Sequence, residues 1–124
     1  MALTEVQMNE WSQKLREINL LGPQEIIEEH TQGDYWFYTS QARGNFFFTQ
    51  EKIIFVSGWG FDQIAIPYQN IRSMKKCTVG LFFPTDIKIT AINEKGKSQV
   101  YKISVLNRKY WIEYLTAKSG IICN

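Results

Sequence analysis

Histidine, cysteine and proline are scarce in this chain: 124 residues hold one, two and three of them. One histidine, His30, and two cysteines, Cys77 and Cys123, with no CxxC or HxxxH spacing, leave no short-range ligand set, so no metal is expected. Two cysteines also make no disulfide framework, and both are expected to be reduced thiols. No apolar run approaches the ~20 residues that a membrane-spanning helix needs. Residues 1–7 have neither a basic start nor an apolar block, so no export signal is read and a cytoplasmic location is expected. Charge is balanced as well, with 14 Lys and Arg against 12 Asp and Glu and a net charge of +2, too mild to imply nucleic acid.

The same scarcity argues against catalysis and cofactors. A triad would need His30 beside Cys77 or a serine in a cleft, whereas His30 sits on a predicted strand. Glu28 and Glu29, adjacent on that strand, are expected to face opposite sides and so to make no carboxylate pair. Gly58-Trp59-Gly60 has the first two glycines of a dinucleotide loop, but no helix follows to receive a phosphate and Gln63 holds the third place. Arg43-Gly44-Asn45-Phe46-Phe47-Phe48 has the aromatic content of an RNA-stacking strand. That fold places helices between its strands, and none is predicted between Gln24 and Val105.

Aromatic and β-branched runs are what the chain has in quantity. Aromatics make up 15% of it, which suits a β-rich core filled by large rings. Residues 45–49 and 53–57 read as two strands joined by the polar turn Gln50-Glu51-Lys52. Ahead of them, residues 24–31 read as a strand, Gln32-Gly33-Asp34 as a turn and residues 35–39 as a second strand, with Gln41-Ala42-Arg43-Gly44 leading into the hairpin. Residues 63–67 and 71–78 follow around a turn at 68–70. Residues 86–92 and 98–105 alternate most cleanly, with Asn93-Glu94-Lys95-Gly96-Lys97 as their turn.

Helices are expected at both ends. Thr4 and Gln7 have capping-box spacing, and Trp11, Leu15 and Ile18 recur at helical intervals over residues 4–21 until Gly22-Pro23 stops the ladder. Asn107 is expected to cap a closing helix over residues 107–118, with Trp111, Ile112 and Leu115 on one face and Gly120 at its end. One domain over residues 1–124 is therefore expected: helix, an uninterrupted antiparallel sheet over residues 24–105, helix.

That order, together with specific residues, resembles the GRAM domain, a family of the pleckstrin-homology-like (PH-like) superfamily, in a small stand-alone form of bacterial type. The similar motif runs from Gly44 through Thr49 and Ile53-Ile54-Phe55-Val56-Ser57, then Ile66-Pro67-Tyr68-Gln69-Asn70-Ile71, the final hairpin and a helix carrying Trp111 and Leu115. The resemblance covers roughly residues 25–118. It implies a mainly β fold, a bent antiparallel β-sandwich or barrel of about seven strands in two nearly orthogonal sheets, capped by the C-terminal helix and carrying an extra N-terminal one. It further implies a non-catalytic module that binds a lipid headgroup, a peptide or a protein. Specific inositol-phosphate binders in the superfamily cluster basic residues around the first hairpin loop, where this chain offers only Arg43.

Two binding readings follow. In one, the chain binds a protein or peptide, including a second copy of itself, through a sheet edge or the Trp11, Leu15, Ile18 face, the alternative being that this face covers an edge or end of the β-core. In the other it attaches to anionic membrane lipid. Contacts would come from Arg43, Arg72, Lys75, Lys76, Arg108 and Lys109, with Trp59 and Phe61 as apolar wedges if these rings do not fold back over the core.

Overall fold

The computed structural model describes residues 3–37, 40–58, 62–79 and 83–124. The chain forms α1 (Glu5–Glu17), β1 (Ile27–Phe37), β2 (Ser40–Thr49), β3 (Lys52–Ser57), β4 (Gln63–Pro67), a 3-10 turn (Tyr68–Asn70), β5 (Ile71–Val79), β6 (Phe83–Ile92), β7 (Ser98–Val105) and α2 (Arg108–Ser119). All seven strands join one antiparallel sheet in the order β4-β3-β2-β1-β7-β6-β5. The two sheets expected from the resemblance are halves of this one, and β1 belongs to both.

The β2–β3 hairpin is apolar on both faces because both faces are covered. Phe46, Phe48, Ile53 and Phe55 point inward to a core that draws on every strand and on Trp111 and Leu115 of α2. Phe47, Ile54 and Val56 point outward, where Leu15, Leu21 and Ile27 close over them. An unbroken aromatic run is what a strand needs when neither side meets water. Trp111 stacks on Phe48 with ring centroids 4.4 Å apart, and so fixes α2 to the hairpin.

Several local expectations give way to tertiary contacts. Residues 24–31 and 35–37 are not separate strands around a turn, and residues 38 and 39 of the expected second strand lie outside the described residues. β1 runs straight through Gly33, which pairs with Gly44 on β2 and Val105 on β7. Glycine is there for proximity: a Cβ on Gly33 would sit 2.5 Å from the Ser104 carbonyl oxygen and 2.8 Å from a ring carbon of Phe46. Residues 41–44 are likewise part of β2 rather than a lead-in. α1 has the expected capping box, Gln7 N–H donating to Thr4 Oγ1 (3.1 Å) and Thr4 N–H to Gln7 Oε1 (2.9 Å). It ends earlier than Gly22, because Asn19 takes the left-handed conformation (φ 63°) and the Leu20 and Leu21 N–H groups turn back to the Leu15 carbonyl. Asn107 is left-handed too (φ 57°), and its side chain caps nothing; Gly120 ends α2 as expected (φ 76°).

A buried polar cluster ties the α1–β1 connection to the hairpin turn. Glu25, 4% exposed, accepts from Thr49 Oγ1 (2.6 Å) and Gly22 N–H (2.9 Å) and pairs with Lys52 (3.0 Å). Thr49 Oγ1 in turn accepts from the Glu51 and Lys52 N–H groups at 3.1 and 3.0 Å. At the far edge, the C-terminal tail closes part of β5. Cys123 bridges Met74, Asn124 N–H donates to Met74 O, and Lys76 N–H donates to Asn124 O. Cys77 and Cys123 are free thiols.

Two expectations follow for stability. A methyl at Gly44 would overlap Val56 O and lie 2.7 Å from Ser57 Cα, so Gly44→Ala should destabilise the fold by roughly 1–3 kcal/mol in urea unfolding. Burial pushes the Glu25 carboxyl up, but the Thr49 hydroxyl, the Gly22 N–H and Lys52 together outweigh it and hold the group below its ordinary 4.5. A depressed carboxyl stabilises above its unfolded pKa and loses that contribution as pH falls through the folded one. Glu25→Gln should therefore cost ~1–3 kcal/mol at neutral pH and much less at about pH 3, and an equal cost at both would contradict this role.

Candidate binding surfaces

The register of β5, β6 and β7 lines up three lysines on the outer face of the sheet. Lys75 pairs with Lys88, Lys88 with Lys102, and Lys102 with Trp36 of β1. Lys102 is neutralised, with Nζ 3.6 Å from the fully buried Asp86 and 5.5 Å from the Trp36 ring centroid. Lys75 and Lys88 are exposed and, among the described residues, form no ion pair. Nine of the 14 Lys and Arg fall between Ile71 and Lys109 against two acids, Asp86 and Glu94, which gives this stretch a net +7. Lys88 and Lys102 escape a reading by local clustering; the Asn93–Lys97 turn, which pairs Ile92 with Ser98, is the signal that brings them together.

The basic residues singled out from sequence do not all join this row. Lys76 is exposed but pairs with the inward-facing Ile87, so its side chain leaves β5 on the opposite side from Lys75. Arg72 Nη1 donates to the Gln69 and Ile71 carbonyls, at 2.9 and 3.4 Å. Arg108 Nη1 donates to the carbonyls of Cys77 (2.9 Å) and Asp86 (3.3 Å), clamping α2 to two strands. Arg43, with its side chain 70% exposed, lies 3.6 Å from Asp34, and Lys109 is exposed. Trp59 and Phe61 lie outside the described residues. On α1, Leu15 is fully buried and Trp11 packs on Phe47 at 4.9 Å, while Ile18 is 42% exposed. The helix thus covers the outer face of the hairpin.

A concavity lies where β7 parts from β1. The two strands pair only over Gly33–Trp36 and Lys102–Val105, after which the chain turns through Leu106 and Asn107 into α2. A cleft of about 890 Å³ opens there, bounded by β1, the end of β7, and Tyr110 and Trp111 of α2. Long side chains rather than backbone bridge its width. Tyr110 Oη donates to Glu29 (2.7 Å), Tyr114 Oη donates to Glu28 (3.0 Å), and Lys118 pairs with Glu28. Glu28 and Glu29 therefore both reach α2, contrary to strict strand alternation, because the β1–β2 register slips between Ile27 and Glu29. Lys118 holds the Glu28 carboxyl below the ordinary carboxylate range, with slight burial opposing it. His30 Nδ1 and Trp36 Nε1, buried atoms of two lining residues, have no hydrogen-bond partner among the described residues. His30 Nε2 meets Asn45 Oδ1 at 2.8 Å, and the ring packs on Phe47.

No known family model matches the sequence, and no curated protein is similar to it. Solved structures do share the fold. The C-terminal domain of an unknown protein from Leishmania infantum matches with a TM-score of 0.71 at 13% identity, over 90% of this chain and 96% of that one. The Vps36 N-terminal PH domain matches at 0.56 and 13% identity, over 82% and 81% of the two chains. The DH/PH fragment of PDZRhoGEF, solved with human RhoA, matches at 0.62 and 7% identity over 95% of this chain, which spans only 33% of that one. At these identities the likeness establishes a PH-like fold.

Like charges directly opposite each other on a sheet repel by ~0.2–1 kcal/mol. Lys88→Glu, which places an acid between Lys75 and Lys102, should therefore raise stability by that order, with a gain that shrinks at high salt in thermal melts.

Proposed function

We propose that this chain is a non-catalytic, GRAM-like binding module that holds a protein or peptide partner. The observation that carries the reading is the cleft between β1 and α2, where aromatic side chains and polar and charged residues line one open concavity. Such a mixture suits recognition, apolar rings giving contact area and a few polar groups giving orientation. The chemistry around it favours binding over turnover. His30 is turned to Asn45 and Phe47. Burial, with the Asp86 carboxylate beside it, pushes the Cys77 thiol up, which disfavours a nucleophilic thiolate. That a PH-bearing fragment was solved with RhoA supports a protein partner by analogy of fold alone.

A second reading, peripheral attachment to anionic lipid, is favoured by the exposed Lys75 and Lys88, which among the described residues form no ion pair and lie opposite each other on the sheet. Each basic residue near an anionic bilayer contributes ~1 kcal/mol.

Two variants separate these readings. Leu106→Asp should abolish capture of partner proteins on the immobilised chain while leaving vesicle binding largely intact. Lys75→Glu with Lys88→Glu should instead leave capture intact and abolish low-salt co-sedimentation with phosphatidylserine vesicles. Loss confined to the lysine pair would transfer the function to lipid, and a chain that binds neither proteins nor vesicles would contradict both readings.

A further inference from the structure

We infer that the cleft takes an extended, basic polypeptide segment by strand addition to the free edge of β1. The inference rests on the binding reading above and names its partner chemistry. β1 pairs with β2 along nearly its whole length but with β7 at four positions only, so the backbone groups of Glu29–Gln32 that point toward β7 have no ladder partner. The lining reflects this. Residues 29 to 34 all border the cleft, although neighbours on a strand send their side chains to opposite faces; only the edge of the strand presents consecutive residues to one wall.

The remaining features suit a polypeptide in this position. Four open residues at ~3.3 Å each give ~13 Å of edge, enough for a short added strand. Leu106, Tyr110 and Trp111 stand opposite as an apolar wall. Charge selects the sequence: of the two acids in the lining, Asp34 is paired with Arg43, whereas Glu29 accepts from the neutral Tyr110 hydroxyl and, among the described residues, forms no ion pair. Other edges are less available, since β5 is partly closed by the C-terminal tail and β4 spans five residues ending in Pro67.

The probe is the synthetic peptide Lys-Val-Lys-Val-Lys-Val-Lys, compared with Glu-Val-Glu-Val-Glu-Val-Glu and with the basic peptide N-methylated on every backbone nitrogen. The readout is amide hydrogen exchange by NMR. The basic peptide should slow exchange within Glu29–Gln32 roughly tenfold at ~90% occupancy, the acidic and N-methylated peptides should not, and Glu29→Gln should weaken the basic peptide several-fold. No protection at millimolar peptide, equal protection by the N-methylated form, or protection confined to β4 would overturn strand addition. If strand addition fails while protein capture still depends on Leu106, the binding reading stands without it; if capture is also insensitive to Leu106→Asp, both fall.

Discussion

One strand serving two half-sheets is the constraint from which the rest of this structure follows. β1 pairs with β2 almost throughout but shares only four positions with β7. Those four positions join the β1–β4 and β5–β7 halves into one sheet, and the early departure of β7 opens the cleft. Two glycines keep the junction close: Gly33 faces Gly44 across the β1–β2 pair, and each lies against a backbone oxygen of its other neighbour, Ser104 or Val56. Side chains at either position would force the half-sheets apart.

The β2–β3 hairpin needs cover on both faces, and this explains both helices. Its inward phenylalanines are closed by α2 through the Phe48–Trp111 stack, and its outward Phe47 and Ile54 by α1 through Leu15. Complete burial of a large apolar side chain contributes ~1.5–3 kcal/mol, so the N-terminal helix has ample reason to remain docked on its own sheet. The surfaces that these demands do not consume are the seam beside β1 and the outer lysine row of β5–β7.

Much of the fold was legible because its signals are local. The alternation of Ile87, Ile89 and Ala91 against Tyr101, Ile103 and Val105 gave the last hairpin, the spacing of Thr4 and Gln7 gave the start of α1, and the aromatic run gave the central hairpin. The misreadings share one cause, tertiary contact overriding a local preference. Gly33 has turn-like neighbours but serves a close strand approach, Asn107 has a capping side chain but a left-handed backbone, and Glu28 departs from alternation at a register slip. Of the candidate binding residues, Lys75 could be read from the chain. Its alignment with Lys88 and Lys102 needed the register, and the cleft, being a missing strand pairing, has no residue signature at all.

The central claim, that β1 keeps an open edge beside a partly paired one, is tested most directly by native-state hydrogen exchange on the free protein. The account predicts that the amides of Gly33–Trp36, held between two neighbours, are protected throughout. Within Glu29–Gln32, protected amides directed at β2 should alternate with fast-exchanging ones directed at the cleft. Uniform protection across both stretches would mean that the edge is closed, and would contradict it.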